Sequence, residues 1–271
     1  MKPTITENGT NRSILVRIAK NSLVVFAAKV IDISSALIIL MILSRLLGVS
    51  RFGDFAFINS VILAFQPLIN LELNTILIRE MSREHDNQRM FLGGGLLLKA
   101  MLIGVFVVAA IAVDHVIQFN PVMRIAFYLA VAGEIFQQVN WVYSAVFMAR
   151  ERMEFEPLLV LVFRGISVGG VVLVGLFCPE ARMANLGFVL VFLILSSAQA
   201  VRALSGIIVS SRFLKSFRIE WSMSVAMDLL RQSWIMGVAT FCTGLSLRVD
   251  VFFLRHFKGS EAVALFHLPH M

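Results

Sequence analysis

Val105-Phe106-Val107-Val108-Ala109-Ala110-Ile111-Ala112-Val113 carries no polar side chain over nine residues. A strand of a membrane barrel alternates polar and apolar side chains over about ten residues, because one face meets lipid and the other the lumen. A segment apolar on every side instead suits a helix, whose backbone hydrogen bonds are all satisfied internally. Extended in both directions, the run grows to 91–113 with a single basic residue, Lys99. That is enough chain to cross the roughly 30 Å of hydrocarbon that a helix of about 20 residues spans. Comparable stretches recur at 22–44, 55–78, 122–148, 157–177, 186–209 and 232–254, and an eighth begins near Ala262. Composition agrees: 58% hydrophobic and 15% charged residues, with a mean hydropathy of +0.85, leave too little polar surface to cover a soluble globule of 271 residues. The fold class is therefore all-α, a polytopic transmembrane helical bundle.

The N-terminal segment is polar for about twenty residues, and the apolar run after it is longer than the core of a cleavable signal, so the first helix is expected to stay. Cys178 and Cys242 lie at different expected depths and offer neither a disulfide framework nor a metal spacing. With the N-terminus in the cytoplasm, thirteen basic residues fall on the inner side and six on the outer. The positive-inside rule favours that orientation. The net charge of +7 and pI near 10 are explained by these inner loops beside anionic lipid, which argues against a nucleic-acid partner. The longest inner connection, about 210–231, mixes aromatic and basic residues as a segment lying in the membrane interface would, although an ordinary solvated connector fits equally.

An offset of 211 residues aligns Ser22 with Ser233, Ala28 with Ala239, Ser35 with Ser246, Leu43 with Leu254, Gly48 with Gly259 and Phe55 with Phe266. Helix one then matches helix seven, turn included, as parallel repeats of six helices require. The organisation this implies is a cytoplasmic segment at 1–20, a six-helix bundle at 21–209, a connector at 210–231, and the first two helices of a second, truncated bundle at 232–271.

Five basic residues, Lys29, Lys99, Arg164, Arg202 and Arg248, sit inside apolar runs. A charge at mid-helix costs about 2.5–3.5 kcal/mol on insertion scales, so such groups face a polar cavity or a partner. Repeated cations imply a path for something anionic. Lys29 lies three residues from Asp32, so an internal ion pair competes with a ligand contact. Arg248 and Asp250 are two apart and cannot face each other on one helix, so each needs a partner elsewhere. Lys99 and Arg202 lie nearer helix ends, from which they could also snorkel. Helix four carries Glu134, Gln137, Gln138, Trp141 and Ser144 on one side, and helix two carries Asn59, Gln66, Asn70 and Asn74. Such amides hydrogen-bond sugar hydroxyls or hold helices together. Asp32, Glu72, Glu134 and Asp250 are candidate sites for a coupling proton or cation. Gly93-Gly94-Gly95 and the run Gly165 to Gly170, which includes a GxxxG spacing, permit close helix packing. Pro67 is expected to kink helix two.

Leu43-Ser44-Arg45-Leu46-Leu47-Gly48-Val49-Ser50-Arg51-Phe52-Gly53-Asp54-Phe55, then Leu77-Ile78-Arg79-Glu80 and Ala149-Arg150-Glu151-Arg152-Met153, resemble the polysaccharide flippases of the Wzx type. These belong to the multidrug/oligosaccharidyl-lipid/polysaccharide exporter superfamily. Arg248-Val249-Asp250 and Lys258-Gly259-Ser260-Glu261-Ala262-Val263 resemble its seventh helix and outer turn, and the likeness covers roughly residues 15–271. The resemblance implies two bundles around a central cavity that flip undecaprenyl-pyrophosphate-linked oligosaccharide to the outer leaflet of the bacterial plasma membrane. It also implies membrane lipids and other polysaccharide assembly proteins as partners, and no cofactor. On this reading Arg248, Arg164, Lys99, Arg202 and Lys29 would replace the water lost by the pyrophosphate, while Gln137, Gln138 and Asn70 would meet the glycan.

Other readings stay open. The chain stops within the eighth helix of the family pattern, so a nonfunctional fragment is one. A drug/cation antiporter or a peptidoglycan-precursor flippase keeps the fold and changes the cargo. An enzyme acting on lipid-linked glycans is disfavoured, because the acidic cluster Glu151, Glu154 and Glu156 is interleaved with Arg150 and Arg152 in a short loop where surface pairing explains it. No histidine spacing suggests a metal site.

Overall fold

The computed structural model describes residues 5–84, 87–150, 155–177, 184–213 and 219–267. Among them every element is helical: α1 (Ile5–Asn70), α2 (Leu73–Arg83), α3 (Gln88–Ile117), α4 (Pro121–Ala149), α5 (Phe155–Phe177), α6 (Ala184–Phe213), α7 (Met223–Ser246) and α8 (Val249–His267). Six helical runs are long and apolar enough to cross a membrane. The first, Phe26–Arg83, has 58 residues, about 87 Å if straight, far beyond one crossing. It is broken at Gly48, and side chains on both sides of the break line one cavity, so the chain reverses there. The seven expected crossings are accordingly the two arms of α1 (the second continued by α2), α3, α4, α5, α6, and α7 with the start of α8. Beyond a second break at Gly259, residues 260–267 begin the eighth.

Gly48 has φ 69° and ψ 169°, and Gly259 has φ 79° and ψ −172°. Positive φ with ψ near 180° is a region that only glycine occupies readily. The two positions paired by the 211-residue offset thus share an uncommon backbone shape as well as a residue type. They mark the glycine-turn end of the bundle. Arg83, Arg150 and Arg212 mark the opposite, basic end.

Helix two departs from the simple kink expected at Pro67. It breaks four residues later, where Leu71 and Glu72 take left-handed φ values of 45° and 54°. The interruption leaves carbonyls without their helical donors. Lys99 on α3 supplies one, its Nζ donating to the Ile69 carbonyl at 3.2 Å and to Asn70 Oδ1 at 3.4 Å. The seventh crossing is also interrupted, between α7 and α8 at Leu247 and Arg248, but there Leu247 keeps right-handed angles, φ −74° and ψ −7°.

Two apolar clusters hold the helices together. Phenylalanines 52, 55, 57, 119, 127 and 188 dominate the one at the glycine-turn end. Leu73, Leu77, Met81, Leu92, Val142 and Leu229 belong to the one at the basic end. Val251 and Val263 join the first and Val225, Ala226 and Leu229 the second, so α7 and α8 are buried against the preceding helices. The triple glycine makes this possible. A Cβ on Gly93 would lie against the Glu220 carbonyl, one on Gly94 against Val225, and one on Gly95 against Leu77. The GxxxG pair differs from the packing expected of it: among the described residues nothing lies within 4 Å of a Cβ on Gly165 or Gly169, and the close approach is made by Gly170 against Ile194.

The 210–231 connector is shorter than the apolar count implied. Helix α6 continues to Phe213, and α7 starts at Met223 behind Ser222, whose Oγ accepts from the Val225 amide at 3.4 Å. The first turns of α7 carry polar residues on one side and place Val225, Ala226 and Leu229 against α2 and α3 on the other. Residues 214–218, five residues of the expected interfacial segment, lie outside those described.

Candidate functional site

A cavity of about 1230 Å³ opens between both arms of α1, α4, α5, α6 and the α7–α8 break. Its walls are mostly apolar, but Lys29, Asp32, Glu134, Glu156, Arg164, Arg202 and Arg248 all reach it. Four cations therefore face three carboxylates. Asp32 is held by Arg164 of α5, with Nε donating at 2.6 Å, and more loosely by Lys29 at 3.8 Å. Glu156 accepts from Arg202 Nη2 at 2.5 Å and from Ser144 Oγ at 2.5 Å. The Phe163 ring lies 5.0 Å from the Arg164 guanidinium carbon and 5.6 Å from that of Arg202, so one aromatic ring links the two ion pairs. Arg248 is different. Among the described residues its guanidinium takes no hydrogen bond or ion pair, and it reaches the cavity from an interruption in the helix.

Glu156 corrects the surface reading of the acidic cluster. It is the second residue of α5 and forms a pair inside the cavity. Glu151, Glu154 and Arg152 lie outside the described residues.

The polar stripe of α4 splits between two environments. Glu134, Gln137 and Trp141 line the cavity, together with Asn59 from the second arm of α1. Gln138, fully buried, turns to Lys99, whose exposure is 1%. Lys99 Nζ donates to Gln138 Oε1 at 2.8 Å, and Gln138 Nε2 donates to Glu134 Oε1 at 2.5 Å. Gln66 Nε2 approaches both Glu134 oxygens at 3.3 and 3.4 Å. Lys99, Gln138 and Asn70 thus form a buried network behind the cavity wall, and Lys99 does not snorkel. Ser144 donates to Glu156. Glu72 sits at the start of α2, accepting from Thr75 Oγ1 at 3.4 Å. Asp250 is exposed and accepts from the Val251 amide at 2.8 Å.

The sequence reading reaches Arg202 but not its neighbour Gln199, and it misses a second group altogether. Gln199 lies three residues before Arg202 on α6 and lines the cavity with it, and the spacing Ser196, Gln199, Arg202 is a legible polar stripe. The second group lies at the glycine-turn end, where Asp54 accepts from Arg255 Nη1 at 2.6 Å and from Arg51 Nη1 at 3.5 Å. Arg255 also stacks over Phe57 at 5.2 Å. Ser50 and Ser260 hydroxyls approach to 3.4 Å, and Gly53 lies against the Ser260 carbonyl. The clamp ties α8 to the second arm of α1. At the basic end Arg79 Nη2 donates to Gln232 Oε1 at 2.5 Å, linking α2 to α7. There too Arg150 Nε donates to Gln88 Oε1 at 2.8 Å, and burial, with Arg89 nearby, lowers the Arg150 pKa.

Comparison with curated proteins found no match, and comparison with solved structures found none either. One family model matches, over residues 18–271, nearly the whole chain. A polytopic helical membrane protein with a charged intramembrane cavity and this match belongs to the polysaccharide biosynthesis protein family.

Proposed function

We propose that this protein flips a polyprenyl-pyrophosphate-linked oligosaccharide from the inner to the outer leaflet of the bacterial plasma membrane by alternating access, with its N-terminus in the cytoplasm. The observation that carries this reading is Arg248, a cation facing the cavity whose charge no carboxylate among the described residues takes up. The cations also stand at successive depths. Arg248 lies eleven residues before Gly259, about 16 Å from that turn at a helical rise, and Lys29 lies nineteen before Gly48, about 28 Å away. Arg164 lies thirteen residues before the end of α5, about 20 Å from the same end of the bundle. A pyrophosphate moving along this series meets a guanidinium or ammonium at each stage, in a site from which water is partly excluded. Arg164 and Lys29 share the single carboxylate of Asp32, and the pyrophosphate competes with it for them.

Glu134 is the acid best placed to carry a coupling ion, because its direct partners are neutral amides, whereas Asp32 is held by cations and Glu72 and Asp250 lie outside the cavity. Flipping at an unchanged rate after the proton and sodium gradients are collapsed would remove ion coupling.

The test of the main reading is Arg248→Ala in the full-length protein, in cells lacking their own copy. Surface glycan is expected to fall at least about tenfold, the loss of one charge-assisted contact, with normal abundance in the membrane. Unchanged surface glycan at normal abundance overturns the role given to Arg248.

A further inference from the structure

The cavity contains a second kind of surface, uncharged in effect and built from α4 and α6. Gln199 Nε2 donates to Gln137 Oε1 at 2.7 Å, bridging the two helices. The bond uses one end of each amide. Gln199 Oε1 is buried and has no partner among the described residues. Exchanging oxygen and nitrogen in both amides moves the unpartnered atom to Gln199 Nε2 without removing it. One turn along α6, Arg202 gives Nη2 to Glu156, which cancels its charge, and its Nε–H is also buried with no acceptor among the described residues. An unmatched acceptor and an unmatched donor therefore stand three residues apart on one helix face. A buried polar atom without a partner costs about 1–3 kcal/mol, and the cost is recovered by any ligand that completes it. Trp141 follows Gln137 by four residues on α4 and lines the same cavity.

We propose that Gln137, Trp141, Gln199 and Arg202 hold the sugar portion of the substrate. This rests on the flippase reading and divides its cavity: pyrophosphate toward Arg248, Lys29 and Arg164, glycan on the α4–α6 wall. A sugar hydroxyl both donates and accepts, so it completes Gln199 Oε1 and Arg202 Nε together. The Trp141 ring offers the flat apolar surface that a pyranose face covers. Arg202 is balanced one to one by Glu156, whereas Lys29 and Arg164 share the single carboxylate of Asp32, so the wall takes neutral sugars. About 1230 Å³ exceeds the roughly 300–1000 Å³ of sites for drug-sized ligands and leaves room for several sugar units.

The experiment measures binding to purified full-length protein in lipid nanodiscs with two probes, undecaprenyl pyrophosphate alone and the same lipid bearing a neutral tetrasaccharide. Gln199→Met and Trp141→Ala are expected to weaken the glycosylated lipid about tenfold and leave the bare lipid unchanged, whereas Arg248→Ala weakens both. Trp141→Phe should restore most of the loss. Trp141→Ala removes no bond between helices, so it tests the assignment if Gln199→Met does not fold. Equal weakening of both lipids, or of neither, overturns the sugar assignment and leaves the flippase reading standing. A wild-type protein that binds neither lipid overturns both.

Discussion

An ammonium group at 1% exposure, as on Lys99, survives inside a bundle because oxygens replace its water. Here they are the Ile69 carbonyl and the Asn70 and Gln138 side chains, and the first exists as a free acceptor only because helix two is interrupted. Lys99→Met keeps the length of the side chain and removes its charge and donors. It is expected to lower stability by about 1.5–3 kcal/mol, the value of hydrogen bonds to a charged group, seen as a lower Tm in detergent. A higher Tm would mean that desolvating the ammonium costs more than its three bonds return. What the sequence made legible at this scale was which charges lie in the membrane, and what it hid was their partners. Asp32 and Lys29 are three apart on one helix, a spacing anyone can count, yet the shorter contact is to Arg164, 132 positions away. Glu156 read as part of a surface cluster because its partner Arg202 lies on another helix. Pairing within a helix follows from spacing, whereas pairing between helices depends on rotations that no local pattern states.

Helices were easier to read than their interruptions. An apolar run of fixed length has a direct physical cause in the bilayer, and each expected crossing has a counterpart. The break at Leu71–Glu72 had no warning in residue type, since neither is a residue that favours positive φ. The start of α7 lies outside the apolar run at 232–254 because its first turns are amphipathic. Glycines show the same division. Gly93 and Gly165 look alike in sequence, but the first lies against a backbone carbonyl and the second faces open space. Gly93→Ala is therefore expected to destabilise by about 1–3 kcal/mol through overpacking. Gly165→Ala should gain about 0.5–1 kcal/mol from the reduced entropy loss of alanine in a helix. Thermal melting of the two variants checks the pair, and destabilisation by Gly165→Ala would show that this face packs against something.

For the molecule as a whole, one end is drawn together by the Asp54–Arg255 pair and by the approach of Ser50 to Ser260. If transport needs this end to open, a disulfide between Ser50→Cys and Ser260→Cys should form on mild oxidation, stop glycan export, and release it on reduction. Export that continues with the crosslink complete would mean that this end does not part. The single Ser50→Cys variant also reports orientation: an impermeant maleimide should label it in intact cells when the N-terminus is cytoplasmic. The two glycine turns at this end carry a further consequence. Nothing described lies within 4 Å of a side chain added at Gly48 or Gly259, so space does not exclude one. The backbone angles do, because an L residue there is strained whatever its size. Every amino-acid-changing substitution in either codon therefore meets the same obstacle, and no neighbouring mutation that clears room can relieve it. The two codons, 211 apart, are therefore expected to tolerate replacement least where the protein is most open, so that a library of variants would find intolerance there without crowding.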